Sequence, residues 1–498
     1  MSHGPAIEIL NWADELAAIL PEYISKRRWY RAKTRSIERL TIQDAIRVAE
    51  PDTFILIVRI EYAGKDHDEY LLPVVLRRGV ATGDELIGFV GESGLYSAVS
   101  DRGFRQALLN LIAGNRTLQG QEGSLLGRHT PAFDQAATQL ESFVSRAEQS
   151  NTSIVYGDRY ILKLFRKLEP GINPDIEIGS FLTERGFKNT PAVLGSIEYK
   201  SESGEPCATG ILQQFVPNEG DAWSYTLKSL RGFLERALAG QNSVGHYAES
   251  AALLGKRTAE MHAAFENENA GPDFAPEPFT RQDGQKLYQD LISQADIAFE
   301  ALRRKQAILT GAAAEAAREV LRLEPEIMAR FNALRESPIS AVRIRHHGDY
   351  HLGQVLYTGT DFMIIDFEGE PARPLSERRR KALAMRDVAG MLRSFQYAAY
   401  AALFESKSDD RLESWAEFWT QQVSAIYLEA YFSTAHGLHC IPSSAAEKEL
   451  LLDAFLLQKA LYELAYELNN RPDWVLIPLR GILSLMKPNA LTKQNRAR

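Results

Sequence analysis

Cysteine is scarce in this 498-residue chain: Cys207 and Cys440 are the only two, and neither stands in a CxxC or Cys/His ligand spacing. That excludes a disulfide framework and a thiolate zinc site, and it makes the reducing cytoplasm the expected location. Long apolar runs are missing as well, since nothing approaches the roughly 20 residues that span a bilayer. The N-terminus, MSHGPAIEILNWADEL, has neither the basic start nor the apolar stretch of a signal peptide. No membrane partner is expected. The chain also lacks a basic field: 57 Lys and Arg against 65 Asp and Glu leave a net charge of -8, which does not attract a nucleic-acid backbone. Finally, there is no GxGxxG and no Walker A sequence. The nearest approach, LLGKRT (253–258), lacks the earlier glycine and carries Arg257 where a P-loop needs Ser or Thr.

What is present is a globular composition, 45% hydrophobic and 24% charged, in a chain too long for one ordinary core. Residues 1–100 read as a β-rich unit, because IERLTIQDAIRV, TFILIVRIEY and DEYLLPVVL are short runs rich in β-branched and apolar residues, punctuated by Pro, Asp and Gly. Residues 101–220 read as an α+β unit, with strand-like SIVYG, YILKLFR, AVLGSIEYK and ATGILQQFV around a helix at 174–185. From 221 to 498 the pattern is helical, with segments at 244–266, 281–304, 312–335, 376–404, 411–432 and 445–470. The fold class is α+β.

One island, RIRHHGDYHLGQVLYTGTDFMIIDFEGEP (343–371), interrupts the helices with two short β-type runs and several turn residues. Asp349 and Gln354 lie five positions apart, and Asp366 follows after one strand-turn-strand connection. Phosphoryl transfer needs a carboxylate to accept a hydroxyl proton, together with oxygen ligands that hold magnesium against nucleotide phosphates. Asp349 is therefore the expected base, and Gln354 and Asp366 the expected metal ligands. Gln354 stands where Asn is usual, and Phe367-Glu368 follows Asp366 in place of Phe-Gly. His346, His347 and His351 read as structural, since a zinc site needs matched ligands with supporting hydrogen bonds. Upstream, EQSNTSIVYGDRYILKLF (148–165) offers a polar turn, Ser150, Asn151, Thr152 and Ser153, whose amides can approach phosphates. Lys163 follows in an alternating strand as the phosphate-binding lysine. Glu177, or alternatively Glu184, is expected to pair with it.

The island resembles the catalytic segments of aminoglycoside phosphotransferase-like kinases. In its fuller form, HGDYHLGQVL with FMIIDFEGEPARPLSERR and RDVAGMLRSF, it resembles bacterial maltokinases more closely, and RRWYRAK (27–33) resembles that family's cap. The resemblance implies a bilobal protein-kinase-like fold with an N-terminal cap, ATP as donor, Mg2+ as cofactor, and maltose as the acceptor that becomes maltose 1-phosphate. It also implies adenine contacts at Gln214, Phe215 and Val216, ahead of a hinge at Pro217 and Gly220, and association with an enzyme of trehalose or glucan metabolism. In LLQKALYELAYELNNRPDW (456–474) an apolar stripe runs beside Lys459, Tyr462, Glu463 and Tyr466, which recur at i, i+3, i+4 and i+7. By the same resemblance these four line the sugar pocket. Arg386 and Asp387 are expected to brace the catalytic loop, and Arg393 to face solvent. The rival readings are a kinase of this fold acting on an aminoglycoside or choline, a two-carboxylate glycosidase, and a nucleotide-binding scaffold without transfer.

Overall fold

The computed structural model describes residues 9–50, 52–64, 66–78, 85–136, 138–145, 151–202, 204–240, 243–405 and 410–487. The chain divides into two compact units, Met1–Pro217 and Asn218–Arg498.

In the first unit, helix α1 (Ala13–Ser25) is followed by β1 (Ile37–Ala49), β2 (Thr53–Tyr62), β3 (His67–Arg78), β4 (Leu86–Val90) and β5 (Ser93–Ser97), an antiparallel sheet in the order β1-β2-β3-β5-β4. Helix α2 (Arg102–Ala113) leads into a second antiparallel sheet. Its strands are β6 (Thr117–Gln119), β7 (Gly123–His129), β8 (Ser142–Val144), β9 (Thr152–Tyr156) and β10 (Tyr160–Leu164), then β12 (Val193–Ser201) and β13 (Cys207–Gln214). They run in the order β6-β7-β12-β13-β10-β9-β8. Between these, β11 (Lys167–Leu168) pairs with β3, and α3 (Pro174–Glu184) precedes β12.

Strand β2 explains how two cores arise in one unit. Successive side chains of a strand point to opposite faces, so Ile55 and Ile57 join a core with Leu108, Ile154, Leu162 and Leu212, while Phe54, Leu56 and Val58 pack with Leu16, Leu20, Trp29 and Tyr30. Trp29 and Tyr30 of the RRWYRAK segment are thereby core residues, 5% and 2% exposed. Helices α1 and α2 were not anticipated. The start of α2 is set by Asp101, whose side chain accepts from the Phe104 N–H at 2.8 Å, an N-cap.

The second unit is mainly helical: α4 (Ala222–Leu238), α5 (Tyr247–Phe265), α6 (Arg281–Lys305), α7 (Gly311–Arg322), α8 (Glu324–Glu336), α9 (Leu375–Arg378), α10 (Met385–Glu405), α11 (Asp410–Thr434), α12 (Ala445–Asn470) and α13 (Leu476–Met486). The expected helix at 312–335 breaks at Leu323 because Pro325 has no N–H to donate and suits only the first turn of a new helix. Two short antiparallel strand pairs interrupt the helices: β14 (Glu277–Pro278) with β15 (Val342–Arg343), and the hairpin of β16 (Val355–Tyr357) with β17 (Phe362–Ile364). No helix among the described residues is long and apolar enough to cross a membrane.

Candidate active site

The segment His346 to Gln354 is fixed by one face of α10. Asp387 Oδ2 and Oδ1 accept the backbone N–H groups of His347 (2.8 Å) and Gly348 (3.0 Å), and Ser394 Oγ accepts that of Leu352 (3.1 Å). Between them, Gly390 lets the Tyr350 carbonyl approach to where a Cβ would sit 2.6 Å from its oxygen. Positions 387, 390 and 394 are spaced i, i+3, i+7 and so form one stripe of a helix. Asp387, 2% exposed, also meets His262 Nε2 at 3.2 Å, and His262 Nδ1 meets the Tyr431 hydroxyl at 2.8 Å. Burial works to raise the Asp387 carboxyl, but hydrogen bonding to His262 and the charges of the surrounding histidines outweigh it and hold the group well below the usual carboxylate range. Asp387 braces the loop as expected. Gly390, Ser394, His262 and Tyr431 were missed, although the stripe spacing in RDVAGMLRSF carried a signal for the first two.

The same loop is tied to the hairpin that follows. A carbonyl can only accept, so the His347 Nε2–H donates to the Ile365 carbonyl at 2.9 Å, and the Ile365 N–H donates to the Gln354 carbonyl at 3.0 Å. Val355 pairs with Ile364, so Gln354 and Asp366 emerge from the same end of the β16–β17 hairpin. Asp366 has φ +70, one of three non-glycine residues with positive φ among those described. An L-residue held there costs roughly 1–2 kcal/mol, and such strain collects at functional positions. Two hard oxygen donors at one hairpin end suit magnesium chemistry.

Asp349 is the best-defined carboxylate in the site. Lys459 Nζ of α12 donates to its Oδ1 at 3.2 Å, and His351 Nε2 lies 3.8 Å from its Oδ2. Desolvation pushes the Asp349 carboxyl up, but the Lys459 ammonium and His351 more than compensate, so the group sits below its ordinary value and stays ionised at neutral pH. Asp349, Lys459, Tyr462, Glu370, Arg386 and Gln458 are among the residues lining a cavity of about 450 Å³ within the second unit. The Lys459 ammonium lies 5.2 Å from the centre of the Tyr462 ring.

The predicted stripe on α12 divides. Lys459 and Tyr462 line the cavity, whereas Glu463 turns to Arg393, with Arg393 Nε donating to its carboxylate at 3.1 Å, and Tyr466 is 45% exposed beneath the Arg471 guanidinium. For Tyr466 the cause is axial distance: at 1.5 Å per residue it stands about 10 Å further along the helix than Lys459. Arg393, expected to face solvent, is instead 1% exposed in that ion pair.

In the first unit, Lys163 on β10 lies opposite Ser153 on β9, and its Nζ donates to Asp175 Oδ2 at 3.2 Å. Asp175, fully buried in the first turn of α3 and two positions before Glu177, is thus one carboxylate that the geometry brings to this lysine. Thr152 is buried and its Oγ1 accepts from Arg166 Nε at 2.9 Å, while Asn151 and Ser153 are half-buried. Ser150 lies outside the described residues. The Gln214 and Phe215 N–H groups donate to the Ala192 and Arg159 carbonyls, and Val216 follows at the end of the unit.

The family model of the maltokinase N-terminal cap domain matches residues 23–101. This segment is similar to the maltokinase cap. The resemblance to bacterial maltokinases read from the motifs is thereby borne out. The capped chain is also similar to a glucosamine kinase of Streptacidiphilus jiangxiensis, 24% identical over 375 residues, covering 71% of this chain and 78% of that protein. A glucosamine kinase of Mycolicibacterium smegmatis (strain ATCC 700084 / mc(2)155) is 23% identical over 345 residues, 69% of this chain and 79% of that one. Among solved structures, a glucosamine kinase in complex with glucosamine, ADP and inorganic phosphate matches with TM-score 0.66 and 20% identity over 95% of this chain and 99% of the other. A second crystal form of glucosamine kinase gives TM-score 0.69 at 21% identity over 96% and 100%. The chain therefore shares the fold of these solved kinases.

Proposed function

We propose that this chain is an ATP-dependent sugar kinase that phosphorylates maltose at its anomeric hydroxyl to give maltose 1-phosphate. The observation that carries the reading is an ionised Asp349 on the wall of a cavity, with the oxygen donors Gln354 and Asp366 at the end of the adjoining hairpin. The maltokinase cap supports maltose as the acceptor. So does a cavity volume of about 450 Å³, inside the range of roughly 300–1,000 Å³ typical of ligand pockets.

In this reading Asp349 orients the attacking hydroxyl and accepts its proton as the bond to the γ-phosphorus forms. Gln354 and Asp366 would hold Mg2+, which when bound supplies the positive charge that neutralises the phosphate oxygens. Lys163, kept in place by Asp175, would bind the nucleotide phosphates. The Tyr462 ring offers the flat apolar surface that a sugar ring needs.

Glucosamine as acceptor is the second reading, favoured by the two glucosamine kinases that match over more than two thirds of their lengths. One assay separates the readings: ADP release with ATP and Mg2+ across maltose, glucose, trehalose and glucosamine, with 31P NMR of the product. Maltose-dependent ADP release and an anomeric phosphate are expected. A preference for glucosamine over maltose overturns the acceptor, and no ADP release with any sugar overturns the kinase.

A further inference from the structure

We propose that Lys459 is a catalytic residue that changes partner during the reaction: its ammonium holds Asp349 before transfer and moves onto the phosphoryl group as that group lands on the acceptor oxygen. The proposal deepens the kinase reading above and rests on it.

The geometry supplies the short path. Lys459 Nζ is 3.2 Å from Asp349 Oδ1, and a hydroxyl about to be deprotonated must lie within about 3 Å of the same carboxylate. Oxygens on a phosphorus joined to that hydroxyl are then neighbours of Nζ. An ammonium has three donors. Among the described residues, Lys459 makes no hydrogen bond other than the one to Asp349, which leaves two donors for an arriving anion.

The charge balance supplies the reason. In the step, the acceptor oxygen bonds to the γ-phosphorus, the bond from that phosphorus to the β–γ bridging oxygen breaks with its electron pair leaving on ADP, and the hydroxyl proton passes to Asp349. Asp349 thus becomes neutral as a phosphate monoester dianion appears beside it. Lys459 loses its one hydrogen-bonded counter-ion, with Glu463 and Glu370 the carboxylates that remain near it, and finds a dianion within reach, and it keeps its own protons throughout. The neighbouring cations are less suited. Arg373 is committed to Glu370 at 2.6 Å and Glu377 at 3.8 Å, and Arg386 lies against Gln458 and the Phe455 ring. Neither has a partner that is discharged by the reaction.

The test uses the full chain carrying Lys459→Met, Lys459→Arg or Lys459→Ala, with thermal melts to confirm folding and with the sugar that the unsubstituted chain phosphorylates. Lys459→Met should lower kcat by roughly 100-fold, the scale of losing one transition-state charge donor, with the sugar KM moved less than about threefold. Inhibition by the sugar phosphate should weaken by about tenfold in Lys459→Met, Lys459→Arg should keep part of the activity, and ethylammonium should raise the kcat of Lys459→Ala. A Lys459→Met chain with kcat within threefold of the original overturns the proposal. So does a lower kcat with unchanged sugar-phosphate inhibition and no amine rescue, which would make Lys459 a prop for the loop. An unsubstituted chain that phosphorylates no sugar overturns the kinase reading itself and this proposal with it.

Discussion

Asp387 is the residue on which the loop geometry depends most, and its removal gives a worked test. Its carboxylate accepts from two backbone N–H groups, those of His347 and Gly348, and from the His262 imidazole, in a place 2% exposed. In Asp387→Ala the amide donors lose their acceptor, at about 1–3 kcal/mol for each buried group left unsatisfied. With the His262 ring, three buried donors lose their acceptor, which sums to roughly 3–5 kcal/mol. The second unit should therefore lose about 3–5 kcal/mol, read by urea unfolding followed through tryptophan fluorescence; Trp223, Trp415, Trp419 and Trp474 all belong to it. Asp387→Asn retains one accepting oxygen and should lose about half as much, but its NH2 group must face one of the donors. Activity should therefore fall in both variants, because Gly348 precedes the base directly. Asp387→Ala with stability within about 1 kcal/mol of the parent would refute the view that this carboxylate holds the loop.

The proposed base is tested by Asp349→Asn, which should lower kcat by roughly 10²–10⁴ while nucleotide affinity, measured by calorimetry, stays unchanged. Gly390→Ala would place a Cβ 2.6 Å from the Tyr350 oxygen, and crowding of that kind costs about 1–3 kcal/mol. Because the displaced carbonyl adjoins Asp349, kcat should drop further than stability does, as steady-state kinetics and a melt on one sample would show. His346 provides a pH test. Burial, the largest influence, pushes its pKa down to about 4 from 6.5, so the neutral ring is the folded form and stability is complete above pH 6.5. As pH falls from 6.5 to 4 the unfolded chain takes up a proton that the folded one refuses, which removes about 3 kcal/mol. His346→Asn should flatten that part of the pH–stability curve.

The candidate catalytic island was legible because its residues are close in sequence. Asp349, Gln354 and Asp366 occur within one short stretch, and the hairpin that brings the last two to one end is built from neighbouring residues. The strands of the first unit and the long helices were legible from periodicity for the same reason. Interruptions were harder: Pro325 allows helix to resume in its own first turn, so the apolar pattern runs on across a real break at Leu323. The partner of Lys163 turned on helical phase. That Asp175 reaches Lys163 rests on which side of α3 faces β10, and nothing within the helix specifies that.

Charge pairing on α12 was the least legible feature, because a local rule and a distant one compete there. Lys459 and Glu463 stand at i and i+4, the spacing at which an exposed pair gains about 0.3–0.5 kcal/mol. Both residues decline that pairing for partners 110 and 70 positions away, Asp349 and Arg393. The decisive quantity is burial. With Arg393 at 1% exposure, an uncompensated guanidinium would cost several kcal/mol, which outweighs the local gain and commits Glu463 to it. Lys459, no longer held by Glu463, is then free to turn to Asp349 in the cavity. A structural ion pair behind the helix thus determines which cation reaches Asp349.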